Sequence, residues 1–220
     1  MGVECVCVNC EPTGEFAHNP EPLPSNLVEL CEAVVANGAD FGVSVDPDVD
    51  RLALICENGQ PFGEEYTLVS VADYLLSRIY NEALETGKSI EEIAAPYQMV
   101  TSSNLSSSRA LRDVTEQYGG EYCTAAVGEV NVTTKMREAG ALIGGEGNGG
   151  VIYPALHYGR DAMVGVALFL TNLAYKKMKV SELRASYPEY VIAKNKIELS
   201  DSALIDKILE EVKTVYAAED

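Results

Sequence analysis

The chain has 220 residues, 47% of them hydrophobic, and carries 16 Lys and Arg against 34 Asp and Glu, a formal charge of −18. That length suits one or two domains with real cores, and so acidic a balance excludes nucleic acid and anionic membrane surfaces as partners, because both require clustered Lys and Arg. No apolar run is long enough to span a bilayer and no basic segment precedes an apolar stretch near the start, so the expected setting is cytoplasmic.

From the N-terminus onward, the pattern predicts strands near 3–8, 41–46, 51–57, 93–99, 121–125, 141–145 and 190–198. Helices are expected near 24–37, 66–86, 105–118, 130–139, 160–178 and 201–217. Alternation of this kind predicts a layered α/β architecture. Cys5 and Cys7 alternate within VECVCV, which reads as one face of a buried strand. With Cys10, Cys31, Cys56 and Cys123 they are expected to be reduced structural thiols, since no paired C-x-x-C spacing follows. Asn58-Gly59 marks a tight turn after RLALICE, with Gln60-Pro61-Phe62 as the returning arm and Pro61 at an edge.

Two segments carry the chemistry. Asp46-Pro-Asp-Val-Asp-Arg51 follows the apolar run FGVSV, and alternate side chains of an extended backbone would bring Asp46, Asp48 and Asp50 onto one hard cation. A calcium loop is disfavoured, because the sixth residue from Asp46 is Arg51 where glycine is required and RLALICE reads as a strand. A solvated acidic turn without metal stays open on this motif alone. Farther on, Ala141–Gly150 runs from an apolar strand into the glycine-rich GEGNGG, whose Glu146 and Asn148 suit paired sugar hydroxyls. A plain turn remains the alternative there.

Five segments in order resemble the α-D-phosphohexomutase superfamily. They are FAHNPEPLPSNL at 16–27, ADFGVSVDPDVDRLAL at 39–54, VGEVNVTTKM at 127–136, GGEGNGGVIYP at 144–154 and HYGRDA at 157–162. The likeness is strongest to the phosphoglucomutase, phosphomannomutase and phosphoglucosamine mutase branch. It implies two layered α/β/α domains with mixed sheets: the C-terminal half of domain 2 with the metal loop at 1–62, domain 3 with the sugar loop at 63–188, and a connection towards domain 4 at 189–220.

The resemblance also carries an expectation about activity. Such enzymes interconvert hexose 1-phosphates and hexose 6-phosphates through a phosphoserine and a bisphosphorylated sugar. Here the resemblance implies Mg2+ at Asp46, Asp48 and Asp50, a catalytic Arg51 at the phosphoryl group, and Glu146, Asn148 and Lys135 on a hexose or hexosamine phosphate. His18-Asn19-Pro20 is not the family's phosphoserine loop, because Ala17 stands where that loop has serine. Domains 1 and 4 of a parent chain are therefore expected partners, and these residues alone are expected to be inactive. The metal loop departs from the usual D-G-D-G-D-R, with Pro47 and Val49 in the glycine positions. A non-catalytic magnesium- or sugar-binding module of the same fold is the alternative.

Several other residues have two readings. Thr101-Ser-Ser-Asn104 is expected to cap a helix, with phosphate binding the weaker alternative. His157 is either an acid or base or an ordinary loop histidine, and Lys135 is either an active-site or a surface lysine. Arg160-Asp161 reads as a helix-start pair bracing the sugar loop, with no catalytic role.

Overall fold

The computed structural model describes residues 2–192 and 204–217. After a single 3-10 turn at Pro24–Asn26, Leu27 and, from helix α1 (Val28–Asn37), Leu30 and Val34 pack onto Ala53 and Ile55 of a two-stranded hairpin. That hairpin pairs β1 (Phe41–Val45) with β2 (Leu52–Cys56) antiparallel, Val45 opposite Leu52. Every residue of β2 is buried. The Asn58-Gly59 turn forms as its residue types dictate: Cys56 N–H reaches Gln60 O at 2.8 Å, and Pro61 bridges to Ile55.

Helix α2 (Glu64–Thr86) starts directly after Gly63 and leads through the short α3 (Ile90–Ala94) to β3 (Gln98–Asn104). Then come α4 (Ala110–Gln117), β4 (Glu121–Ala125), α5 (Glu129–Ala139), β5 (Ala141–Gly145) and β6 (Val151–Ile152). The four strands lie in the order β4-β3-β5-β6, with β3 parallel to both β4 and β5, and β6 antiparallel to β5. Helices α6 (Ala162–Lys176) and α7 (Val180–Ala185) complete the unit.

Two cores flank this sheet. Leu68, Val71, Leu76, Leu111 and Phe169 from α2, α4 and α6 pack with Met99 and Leu142 on one side. Val132 and Met136 of α5 pack with Val100, Ala141 and Ile152 on the other. The result is an α/β/α layering with mixed strand directions. Adjacent strand residues Met99 and Val100 serve opposite cores, as a period of two requires. Residues 191–220 form a separate unit, in which helix α8 (Leu204–Val215) is described.

Several sequence expectations are corrected. Residues 3–8 form no strand, and Cys5 and Cys7 are exposed. The stretch has no ladder partner, and a cavity of about 410 Å3 separates it from α1 and β1; alternation without a hydrogen-bonded neighbour does not make a strand. The strand expected at 93–99 is shifted to 98–104, because Ser89 and Glu92 form a reciprocal capping box that winds 90–94 into a helix. Thr101–Asn104 therefore lie inside β3 and cap nothing. Two of the hydroxyls are satisfied, Thr101 Oγ1 meeting Thr115 Oγ1 at 2.6 Å and Ser103 Oγ meeting Tyr122 Oη at 2.8 Å, whereas Ser102 Oγ is buried without a partner. Helix α4 accordingly begins at Ala110 and not near 105. Of the strand expected at 190–198, residues 190–192 carry none and the remainder lies outside the described residues. The short α3, β6 and α7 have no counterpart among the elements expected from sequence.

Candidate active site

The first loop is built around Asp46. Its Oδ1 accepts the backbone N–H groups of Asp50 and Arg51, both at 3.0 Å, and its Oδ2 accepts Arg51 Nε at 2.6 Å. These bonds close a turn between β1 and β2. The aspartates therefore converge through the turn and not through the alternation of an extended strand, which ends at Val45. One carboxylate oxygen from each of Asp46, Asp48 and Asp50 lies within 4.8 Å of the others. Val49 is held at φ 59°, a left-handed conformation rarely adopted by a β-branched residue.

Burial and charge divide the three acids. Asp46 is 2% exposed. Burial by itself would raise its carboxyl, but hydrogen bonds from Arg51 and Asp50 outweigh that and hold it down to about 2. Burial pushes Asp50 up to about 6, aided by the neighbouring Asp46 carboxylate and opposed by the Arg160 charge. Asp50 Oδ1 is buried without a hydrogen-bond partner, with Arg51 Nε 3.8 Å away, while its Oδ2 is paired with Arg160. Such an orphaned oxygen beside two further carboxylates is the donor set a hard divalent cation requires, so the residues fit Mg2+. Arg51 also reaches Glu21 at 3.2 Å, which ties the 16–27 segment to this turn.

The second loop follows β5. Glu146 is 5% exposed, its Oε1 accepting Asn104 Nδ2 at 2.7 Å and its Oε2 accepting a guanidinium N–H of Arg160 at 2.7 Å. Asn148 Oδ1 accepts the N–H of Gly150 at 3.1 Å. The glycines here permit close approach: a Cβ on Gly149 would collide with the Leu52 carbonyl, and one on Gly150 with the Arg160 side chain. Gly149 O accepts Leu52 N–H at 3.1 Å, so the sugar-loop candidate is fastened to the start of β2.

Arg160 joins the two loops. Its guanidinium is paired with Asp50, with Glu146 at 2.7 Å and with Glu129 at 3.3 Å. Sequence reasoning placed Arg160 against the sugar loop and missed its bond to the aspartate turn. It read Asn104 as a helix cap and gave no role to Glu129, Glu21 or Glu65, whose carboxylate accepts Ser108 N–H at 2.8 Å and packs against Gly147. A carboxylate directly after Gly128 at a helix start was the one available signal for Glu129.

The remaining candidates lie elsewhere. Lys135 sits half-exposed on α5 with its ammonium 3.9 Å from Glu138 and is not a partner of Arg160 or Glu146. His157 Nε2 lies 3.0 Å from Asp161 Oδ2, and Asp161 caps α6 by accepting Val164 N–H at 3.0 Å.

The model of alpha/beta/alpha domain II of the phosphoglucomutase/phosphomannomutase family matches residues 1–59, and that of domain III matches residues 68–190. The chain belongs to this family. Among phosphoglucomutase/phosphomannomutase relatives, the protein of that name from Thermococcus kodakarensis is 35% identical over 213 residues, covering 96% of this chain and 43% of its own. The phosphoglucosamine/phosphogalactosamine mutase of Sulfurisphaera tokodaii is 31% identical, covering 91% of this chain and 41% of its own. The chain thus spans less than half the length of these relatives. A phosphoglucomutase/phosphomannomutase family protein from Burkholderia thailandensis superposes with a TM-score of 0.63 at 26% identity, over 79% of this chain and 34% of that one. The phosphoglucomutase parafusin from Paramecium shares the fold, with a TM-score of 0.61 at 19% identity over 91% of this chain and 35% of that one. Among the described residues no helix is long and apolar enough to cross a membrane.

Proposed function

We propose that residues 46–51 and 146–148 are the cation and sugar walls of a phosphosugar mutase, interconverting hexose or hexosamine 1-phosphates and 6-phosphates in the cytoplasm. The observation that carries the reading is the buried, unpartnered Asp50 Oδ1 between Asp46 and Asp48, bridged through Arg160 to the glycine-rich loop. Asp46, Asp48 and Asp50 would hold Mg2+. A bound divalent cation supplies charge withdrawal from a phosphoryl group in transfer.

The chain's own residues do the rest. Arg51, fixed by Asp46 and Glu21, directs a permanent positive charge towards the phosphoryl group. Glu146, immobilised by Asn104 and Arg160, accepts from a sugar hydroxyl, and Asn148 offers its Nδ2 because its Oδ1 is engaged with Gly150. Preorganised groups of this kind lower the barrier because they need no rearrangement when charge shifts. Lys135 is retained as a phosphate contact only in a chain that closes over the site. The phosphoserine is supplied from outside these residues, so a domain 2 portion at 1–62, domain 3 at 63–188 and a connection at 189–220 act together with domains 1 and 4.

The test is a coupled mutase assay with Mg2+ and a sugar bisphosphate primer, offering glucose, mannose, glucosamine and N-acetylglucosamine 1-phosphates to a full-length, serine-phosphorylated protein containing these residues. Turnover abolished by Asp48→Asn is expected, with none from the 220 residues alone. A folded, phosphorylated protein that converts none of the four sugars overturns the reading.

A further inference from the structure

Arg160 is 18% exposed at its side chain and faces three carboxylates from three different segments. Asp50 comes from the β1–β2 turn, Glu129 from the first turn of α5, and Glu146 from the loop after β5. The planar guanidinium offers five donors in a fixed fork, so it can serve all three acids at once, which a lysine ammonium does less well. Its backbone is fixed too: Arg160 N–H donates to Glu129 Oε1 at 3.2 Å, and Ile152 bridges to Arg160. Gly150 leaves room for its methylenes, which cross where a Cβ would collide. Arg160 is thus held in place by contacts that have nothing to do with Asp50.

We propose that Arg160 is a positioning residue that couples cation loading at the aspartate turn to the carboxylate of the sugar loop. The inference rests on the reading of that turn as a cation site. Arg160 and a divalent cation are both positive and draw on the same Asp50 carboxylate, so each weakens the other's hold. When the cation takes a larger share of Asp50, the guanidinium shifts its charge onto Glu146 and holds that carboxylate more tightly in place. Linkage requires the reverse as well: whatever strengthens the Arg160–Glu146 pair must favour the cation. Cation occupancy and the Arg160–Glu146 pair are therefore linked, and the strength of the link is set by a residue that does not itself hold the cation.

A double-mutant cycle read by Mg2+ titration calorimetry tests this without turnover or a sugar. Wild type, Arg160→Gln, Glu146→Gln and the double variant are each titrated with Mg2+ alone, after melting curves show that they fold. Arg160→Gln removes the competing charge and is expected to tighten Mg2+ about 3- to 10-fold. Glu146→Gln throws Arg160 back onto Asp50 and is expected to weaken Mg2+ about 3-fold in the wild-type background and much less beside Arg160→Gln. Arg160→Lys keeps the charge without the fork, so it should leave affinity near wild type while abolishing the Glu146 effect. It carries the cycle if Arg160→Gln does not fold. Additive effects with Mg2+ binding intact overturn the inference alone, and failure of every protein to bind Mg2+ overturns it together with the cation reading. Intact coupling in a full-length protein that turns over no sugar overturns only the mutase reading.

Discussion

The backbone carbonyl of Val49 accepts the N–H of Ala162 at 3.0 Å, which fastens the aspartate turn to the first turn of α6. The bond is made with Val49 at φ 59°. The residue is held where glycine is at ease and valine is not. Left-handed backbone costs a non-glycine residue about 1–2 kcal/mol, against about 0.5–1 kcal/mol lost to the extra freedom of glycine when unfolded. Val49 is 40% exposed, so little packing is at stake. Val49→Gly is expected to raise stability by about 0.5–1 kcal/mol in urea denaturation, while Val49→Ala gains nothing. A glycine variant less stable than the alanine one would show that the turn is not strained.

Asp46 and Asp48 separate folding from cation binding. Asp46→Asn breaks a buried, charge-assisted set of three hydrogen bonds and should cost about 1–3 kcal/mol in urea. Asp48 is exposed, so Asp48→Asn should leave the urea midpoint within about 0.5 kcal/mol while weakening Mg2+ at least about tenfold by calorimetry. Equal stability losses in the two variants would contradict this division.

Asp161 gives a pH dependence with a definite sign. Burial opposes its ionisation, but the Val164 N–H, His157 and Met163 N–H hold its carboxyl below the usual carboxylate range. A carboxyl lowered in the fold contributes stability that is full above its unfolded value, about 3.9, and disappears as pH falls through the folded value. At pH 7 Asp161→Ala should cost about 1 kcal/mol and Asp161→Asn less, since asparagine still caps. The gap between wild type and Asp161→Ala should narrow as pH falls below the unfolded value of about 3.9. A gap that widened in acid would refute the assignment.

Thiol labelling under native conditions should divide the cysteines. Burial, with Glu57 adding to it, pushes the Cys56 thiol up to about 11, whereas Cys5, Cys7 and Cys10 lie exposed. Only the thiolate reacts, so Cys56 should label at pH 8 only after denaturation, and the three exposed thiols promptly. Mass mapping of modified peptides reads the outcome; rapid native modification of Cys56 would show that its site opens.

The legible parts of the fold were those where local chemistry decides. Asn58-Gly59 forces a hairpin, and FGVSV and ALIGG are short apolar runs between turn signals that can only be strands. Residues 3–8 have the same alternation but no neighbour to pair with, and pairing is a tertiary fact. The polar strand Thr101–Asn104 was misread because the hydroxyls of Thr101 and Ser103 find partners on α4 and β4, elements that local sequence does not place beside them. The same limit applies at the site. The candidates Asp46, Asp48, Asp50, Arg51, Glu146 and Asn148 were singled out by spacing and glycine context, whereas the Arg160 bridge depends on how α6, α5 and the hairpin come together.

Asn104 is the last residue of β3, and Glu146 comes one place after the end of β5, the strand that lies parallel beside it. Both side chains therefore emerge at the carboxyl rim of the sheet, where the ladder has already closed and the cores need nothing further from the chain. The loop tip is set apart from the ladder: a side chain exchanged at Asn148, between its glycine neighbours, forfeits the bond from Gly150 N–H but breaks no strand pairing beneath it.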